Sequence, residues 1–355
     1  MGSCVSTADY NVLIDDEVRA YIARSATFYP PNAVSLTIEE QRQVYDQMCA
    51  AFHAGYPEGV TASDVTFGGV LCRRYDTAAA SDVTMIYLHG GGFVVGGLHS
   101  HDDVCAEICA RTEFRVVSVD YALAPEKVFP ACYNAAYAAY AAIQEAFAGP
   151  IIMAGDSAGG NLASAVTHAA RTEGRIEGQV LIYPGLGGDQ SKGSYVEHAH
   201  APELTAADLA FYKTVRSGGA EPPEDAPRYA PLQDSDFTQL PPTVILTAEC
   251  DPLSSDGEAY RDVIRAAGGQ AEWIVGKGLV HGCLRARHCS VRAGAFFDQI
   301  VEAVDALGQG RWPYREIRTV RSECAPYEPL AQETLCFHRF GNRRAQTVED
   351  RRGQL

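Results

Sequence analysis

Between residues 83 and 307 the chain alternates short apolar runs with helical patterns, and this alternation limits the fold more than any other feature. Val83–Leu88, Arg115–Asp120, Ile151–Ala154, Gln179–Tyr183, Thr243–Ala248 and Ala271–Val275 read as strands. Helical patterns separate them: Pro130 to about Phe147, Ala158–Arg171, Asp256–Ala267, and a last one over His288–Leu307, where Phe297, Ile300, Val301 and Val304 share a face. Strands apolar throughout and separated by helices predict a mostly parallel sheet covered on both faces.

The flanking segments differ. In residues 9–55, Val12, Ile14, Val18, Tyr21 and Ile22, then Val44, Met48, Ala51 and Phe52, recur at helical spacing, with a break at Pro30-Pro31. Val65–Phe67 and Val70–Tyr75, joined by Gly68-Gly69, predict an antiparallel hairpin. Residues 188–235 interrupt the rhythm with Gly, Pro and charge around one helical stretch, Ala206–Val215. Together with the N-terminal helices they predict a lid over one end of the sheet. The expected organisation is an N-terminal helical cap segment at 1–58, an α/β catalytic domain at 59–310 with a cap insertion at 188–235, and an extension at 311–355. That tail has little apolar periodicity and is expected to be poorly ordered.

Charge excludes some partners. The net charge of −16 argues against nucleic acid or an anionic membrane. The tail holds nine Arg against six acids, so the acidity belongs to residues 1–310. The eleven cysteines form no Cys-x-x-Cys pair, and in so long a chain they are expected to be free thiols in a reducing compartment. Asp9, Asp15, Asp16 and Glu17 interrupt any secretory leader, and the most apolar segment, Ala131–Ile143, is short and broken by Asn134. A cytoplasmic protein without stable membrane insertion is therefore expected. Met1-Gly2-Ser3-Cys4-Val5-Ser6 fits a myristoylation pattern with Cys4 placed for palmitate, but a disordered tip is the preferred reading.

Glycine, at 33 residues, exceeds the usual ~7% and directs attention to glycine-dependent loops. Gly155-Asp156-Ser157-Ala158-Gly159-Gly160 follows an apolar strand and opens a helix. In that context Gly-x-Ser-x-Gly predicts a sharp turn that exposes Ser157 as a nucleophile at a helix N-terminus. His89-Gly90-Gly91-Gly92-Phe93 follows Val83–Leu88, and its bare backbone N–H groups predict an oxyanion hole with the N–H of Ala158. It lacks the pattern of a phosphate-binding loop. In the order Ser, acid, His, the acid is expected at Asp251, after Thr243–Ala248, and the base at His281, in the loop 278–282 after Ala271–Val275. His288, placed on a helix, and His338, in the tail, are the alternatives set aside.

HGGGF at 89–93, DYALAPE at 120–126, GDSAGG at 155–160, LIYPGL at 181–186, DPL at 251–253 and HG at 281–282 resemble, in order, the landmarks of the hormone-sensitive-lipase-like (GDXG) α/β-hydrolases, close to bacterial acetyl esterases. The resemblance covers about residues 60–307. It implies the α/β-hydrolase fold, a Ser157–Asp251–His281 triad, oxyanion donors Gly91, Gly92 and Ala158, no cofactor, and hydrolysis of short-chain acyl esters through an acyl-enzyme. Two positions depart: Ala122 stands for a usual arginine, and Cys283 for a usual phenylalanine, a change that could reshape the pocket wall without touching proton transfer. The expected partner is a small-molecule ester, with a homodimer left open. Two other readings remain. A binding protein of the same fold would dispense with the histidine, and His281 argues against it. A metal hydrolase could use His99-Ser100-His101-Asp102-Asp103, although the acids there suit a helix N-terminus and His198 and His200 add nothing firm.

Overall fold

A computed structural model describes residues 8–30, 36–79, 81–173, 175–223 and 226–314. Three helices come first: α1 (Tyr10–Leu13), α2 (Asp16–Ala26) and α3 (Ile38–Phe52). Asp15 Oδ1 caps α2 by accepting the Val18 N–H, and Thr37 with Glu40 forms a reciprocal capping box on α3. Next come β1 (Thr61–Phe67), β2 (Val70–Asp76), β3 (Thr84–Leu88), α4 (Asp102–Thr112), β4 (Arg115–Val119), α5 (Ala131–Ala146), β5 (Ile151–Asp156), α6 (Ala158–Ala170) and β6 (Ile176–Ile182). The interruption holds α7 (Ser194–Glu197), α8 (Ala206–Arg216) and a short helical turn at Pro231–Gln233. The chain then forms β7 (Thr243–Cys250), α9 (Ser254–Ala266), β8 (Ala271–Val280), a turn at Cys283–Ala286, and α10 (Val291–Gly308).

The strands make one eight-stranded sheet in the order β1-β2-β4-β3-β5-β6-β7-β8. The β1–β2 hairpin and the β2–β4 pair are antiparallel, and every other pair is parallel. The pleat explains why β3 and β5 are apolar throughout. Met85, Tyr87, Ile152 and Ala154 enter one core with α4 and α10, whereas Ile86, Leu88, Ile151 and Met153 enter the other with α5, α6 and α9. β1 lies at the edge, largely exposed, and carries Ser63 and Asp64. Val18, Tyr21, Met48 and Phe52 of the N-terminal helices belong to the same buried cluster as Phe297 and Val304 of α10.

Several boundaries differ from the sequence pattern. β7 and β8 run on to Cys250 and Val280, because a shift in register after Ala248 lets Cys250 pair with Val280. His281 therefore follows a strand directly rather than lying within a loop 278–282. His288 precedes α10 instead of lying on it: Ser290 caps the helix by accepting the Ala293 N–H, and His288 Nε2 lies 3.0 Å from Glu107 Oε2. The described cysteines, Cys49 to Cys289, are unpaired. Among the described residues no helix is long and apolar enough to cross a membrane. The expectations about Gly2, Cys4, His338 and residues 315–355 fall outside the described residues.

The loop after His281 is tied down by charge. Arg287 Nη2 lies 2.5 Å from Asp103 Oδ2, and its Nε 2.8 Å from Glu107 Oε2, with the Arg287 side chain 2% exposed. Burial pushes the Asp103 carboxyl up, but the Arg287 guanidinium and the Ala54 N–H outweigh it and hold the group below its ordinary value. Arg287→Met strands a buried carboxylate and is expected to cost about 3–5 kcal/mol in urea unfolding at pH 7. The sign follows from linkage. A depressed carboxylate stabilises fully above its unfolded value of about 3.9 and loses that contribution as pH falls through the folded value. The acid limb of the stability profile should therefore be shallower in Arg287→Met than in wild type, and an unchanged limb would contradict the pairing.

Candidate active site

Parallel strands place their carboxyl ends on one edge, where open α/β sheets bind ligands. Ser157 follows β5 there with φ 54° and ψ −118°, a left-handed conformation that a non-glycine residue adopts only when its surroundings impose it. Its N–H donates to Ile182 O at 2.9 Å, and its carbonyl accepts the Asn161 N–H at 3.1 Å. At Gly159 a Cβ would run into the Leu88 and His89 carbonyls, so α6 can cross β3 this closely only with glycine there.

Asp251 and His281 reach the same point from β7 and β8. His281 Nε2 lies 2.8 Å from Ser157 Oγ, and its Nδ1 lies 2.7 Å from Asp251 Oδ2. Asp251 is fully buried, and its other oxygen accepts the Leu253 N–H at 2.9 Å. A carboxylate on Nδ1 holds the proton there and leaves Nε2 free to accept the serine proton. The imidazole packs on the Tyr183 ring with centroids 4.7 Å apart.

The glycine loop after β3 is held from below by the residue before Ser157. Asp156 Oδ1 accepts the Gly90 N–H at 2.8 Å and the Tyr87 hydroxyl at 2.9 Å. Asp156 Oδ2 lies 3.2 Å from His101 Nε2, out of line for a good hydrogen bond. Burial opposes the charge on Asp156, yet His101, the Arg285 guanidinium and Tyr87 together hold its carboxyl well below the usual carboxylate range. Burial draws the His89 imidazole down to about 4, so it is neutral; its Nδ1 lies 2.7 Å from Gly90 O and its ring stacks on Tyr121 at 4.3 Å. Gly91 and Gly92 then turn with φ 122° and 61°, and a Cβ on Gly92 would enter the Tyr212 ring. The N–H groups of Gly91, Gly92 and Ala158 donate to no acceptor among the described residues, and all three residues line the cavity that contains Ser157.

That cavity has a volume of about 550 Å³. Tyr21, Tyr45 and Met48 from the N-terminal helices wall one side, and Leu204, Leu209 and Tyr212 from the insertion wall another. Cys283 is buried in the core instead of facing the cavity, so it does not reshape the pocket wall as expected; Arg285, two residues on, lines it. The segment with Ala122 draws its guanidinium from elsewhere: Arg42 donates to Val94 O at 2.8 Å and to Ala124 O at 3.0 Å, and pairs with Glu126.

The His99–Asp103 run disperses. His99 Nε2 lies 2.7 Å from Asp46, Ser100 Oγ lies 2.9 Å from His101 Nδ1, Asp102 accepts Tyr75 Oη at 2.6 Å, and Asp103 pairs with Arg287. His198 Nδ1 lies 3.2 Å from Tyr10 Oη. Among the described residues no three or more His, Cys, Asp or Glu side chains are grouped to hold a metal ion. Sequence reasoning missed the structural part of Asp156 and His101. Asp156 stood in the variable position of the elbow motif, and its partners lie in segments distant along the chain.

Residues 85–285 match a family described by its alpha/beta hydrolase fold. The chain is 38% identical to Esterase LipI of Mycobacterium tuberculosis over 206 residues, which cover 56% of this chain and 64% of that protein, less than two thirds of its length. It is 30% identical to an ethyl acetate hydrolase of Pseudomonas putida over 289 residues, 76% of this chain and 90% of the relative. Among solved structures it is similar to a hyperthermophilic esterase from the archaeon Pyrobaculum calidifontis, with a TM-score of 0.75 and 29% identity, covering 83% of this chain and 99% of that one.

Proposed function

The chain belongs to the alpha/beta hydrolase fold family, and from that premise we propose that it is a serine carboxylesterase acting on short-chain acyl esters of small molecules. One observation carries the reading: Ser157 Oγ, on a strained turn that lines the cavity, lies 2.8 Å from an imidazole whose other nitrogen is held by a buried carboxylate. That arrangement supplies nucleophile, base and orienting acid in the geometry acyl transfer requires. The names of the relatives, two esterases and an ethyl acetate hydrolase, support the same reaction class.

In the proposed cycle Ser157 Oγ attacks the ester carbonyl while its proton passes to His281 Nε2. Asp251 steadies the imidazolium formed. The carbonyl oxygen becomes an oxyanion that receives N–H groups from Gly91, Gly92 and Ala158, each worth about 3 kcal/mol of barrier. His281 returns the proton to the departing alkoxide, which leaves as the alcohol and strands the acyl group on Ser157. Water then attacks, giving its proton to His281; collapse releases the acid and restores the serine proton. The chain's own residues complete this cycle.

Rates on p-nitrophenyl esters from acetyl to palmitoyl test the chain-length claim. The expected profile peaks at acyl chains of about two to six carbons, because a covered cavity of about 550 Å³ also has to hold the alcohol. A maximum at lauroyl or longer would overturn the short-chain assignment while leaving the serine mechanism intact.

A further inference from the structure

Arg285 is 9% exposed and lies in the wall of the cavity that holds Ser157 and His281. The turn at Cys283–Ala286, directly after His281 and Gly282, carries it there. Its Nη2 donates to Tyr45 Oη at 2.6 Å, and Nε and Nη2 lie 3.4 and 3.2 Å from Cys49 Sγ. Among the described residues Nη1 meets no acceptor, and no carboxylate lies within ion-pair distance of the guanidinium. Burial pushes the Tyr45 phenol and the Cys49 thiol upward, so neither provides a counter-charge.

The nearby carboxylates are engaged elsewhere. Asp156 is taken by Gly90, Tyr87 and His101. Glu203 also lines the cavity, where it accepts the Ser25 hydroxyl at 3.1 Å. Glu203 is exposed by surface area, yet desolvation by the protein packed around its carboxyl pushes it up to about 7. The other buried cation in the wall, Arg216, is committed: it stacks on Phe93 and Tyr229 and donates to Tyr229 O and Asn161 Oδ1. Asp156 acts on Arg285 only from beyond ion-pair distance; a buried guanidinium with no anion in contact is costly, and its planar fork is shaped for a carboxylate.

We propose that Arg285 receives an ionised carboxylate carried by the substrate, so that the preferred esters are hemiesters of dicarboxylic acids or acyl esters of hydroxy acids. This rests on the serine carboxylesterase reading and narrows its substrate class. Arg285 holds the distal charge while the scissile carbonyl meets Ser157, and Glu203, when ionised, weakens the hold.

Two matched pairs of esters test it. Monoethyl succinate is compared with its uncharged isostere ethyl 4-methylpentanoate, which places the charge on the acyl side. Next, 4-acetoxybutanoate is compared with 4-methylpentyl acetate, which places it on the alcohol side. Wild type is expected to favour the charged member of at least one pair by about tenfold or more in kcat/KM. Arg285→Met should erase that preference, raising KM for the charged ester by about tenfold more than for its uncharged isostere; Arg285→Lys should restore part of it, and Glu203→Gln should lower KM for the charged ester. A wild-type preference for the uncharged member of both pairs would overturn the inference. So would an Arg285→Met enzyme that loses charged and uncharged esters equally, since that marks a purely structural role. Hydrolysis of p-nitrophenyl acetate, run alongside, separates the two readings. If it proceeds without any preference for charge, only the inference falls; if it is absent, the esterase reading falls with it.

Discussion

Replacing Ser157 by alanine is expected to lower kcat on any ester by a factor on the order of 10⁵ to 10⁶, with KM nearly unchanged. The methyl group occupies the same elbow but cannot form the acyl-enzyme, and His281 then has no proton to take. A residual acceleration of about 10³ over water should persist, because the N–H groups of Gly91, Gly92 and Ala158 and the cavity would still bind and polarise the carbonyl. Ser157 Oγ and His281 Nε2 lie 2.8 Å apart and are expected to act as one unit. The Ser157→Ala/His281→Ala double variant should therefore be about as slow as either single variant, not slower by the product of the two effects. A serine-directed phosphonate should label wild type and leave Ser157→Ala untouched. Retention of more than about 1% of wild-type kcat, or labelling at another residue, would remove Ser157 from the nucleophile's role.

Asp251→Asn is expected to cost about 10⁴ in kcat, again with little change in KM. Asp251 is fully buried, accepts Leu253 N–H through one oxygen and faces His281 Nδ1 through the other at 2.7 Å. An amide fits the same space, but if it turns its NH₂ toward Nδ1 it favours the tautomer with the proton on Nε2, which cannot accept from Ser157. It also removes the charge that stabilises the imidazolium. Steady-state kinetics together with an unchanged far-ultraviolet circular dichroism spectrum would separate this from misfolding. A loss below about tenfold would mean that a different acid orients His281.

Much of this was readable before any coordinates, and the reason differs from element to element. The turn at Ser157 was legible because it is a local steric problem: a strand, a sharp turn and a helix within six residues leave room only for glycine at 155 and 159. The hairpin at Gly68-Gly69 and the buried strands β3 and β5 were legible for the same kind of reason, as periodicity reports burial within a short window. The ends of β7 and β8 lie beyond the sequence pattern, because Gly278 reads as the start of a loop while pairing between Cys250 and Val280 carries both strands further. Cys283 was read as pocket wall because of the residue it replaces, whereas the turn that follows His281 points it into the core and presents Arg285 instead.

The sequence by itself determined the layered α/β architecture and the chain order of Ser157, Asp251 and His281, since these follow from patterns spanning a few residues each. Only the tertiary structure decided what holds and surrounds them. Asp156 anchors the glycine loop after β3 across 66 residues, Arg287 grips Asp103 across 184, and Tyr45 reaches Arg285 across 240. No spacing rule foretells such contacts, because they depend on how the sheet twists and how the N-terminal helices and the 188–235 insertion pack against it. The physical reason is that a turn or a strand is chosen by local sterics and burial. The charge of a cavity wall is chosen by which distant side chains pack together and whether each buried charge finds a partner.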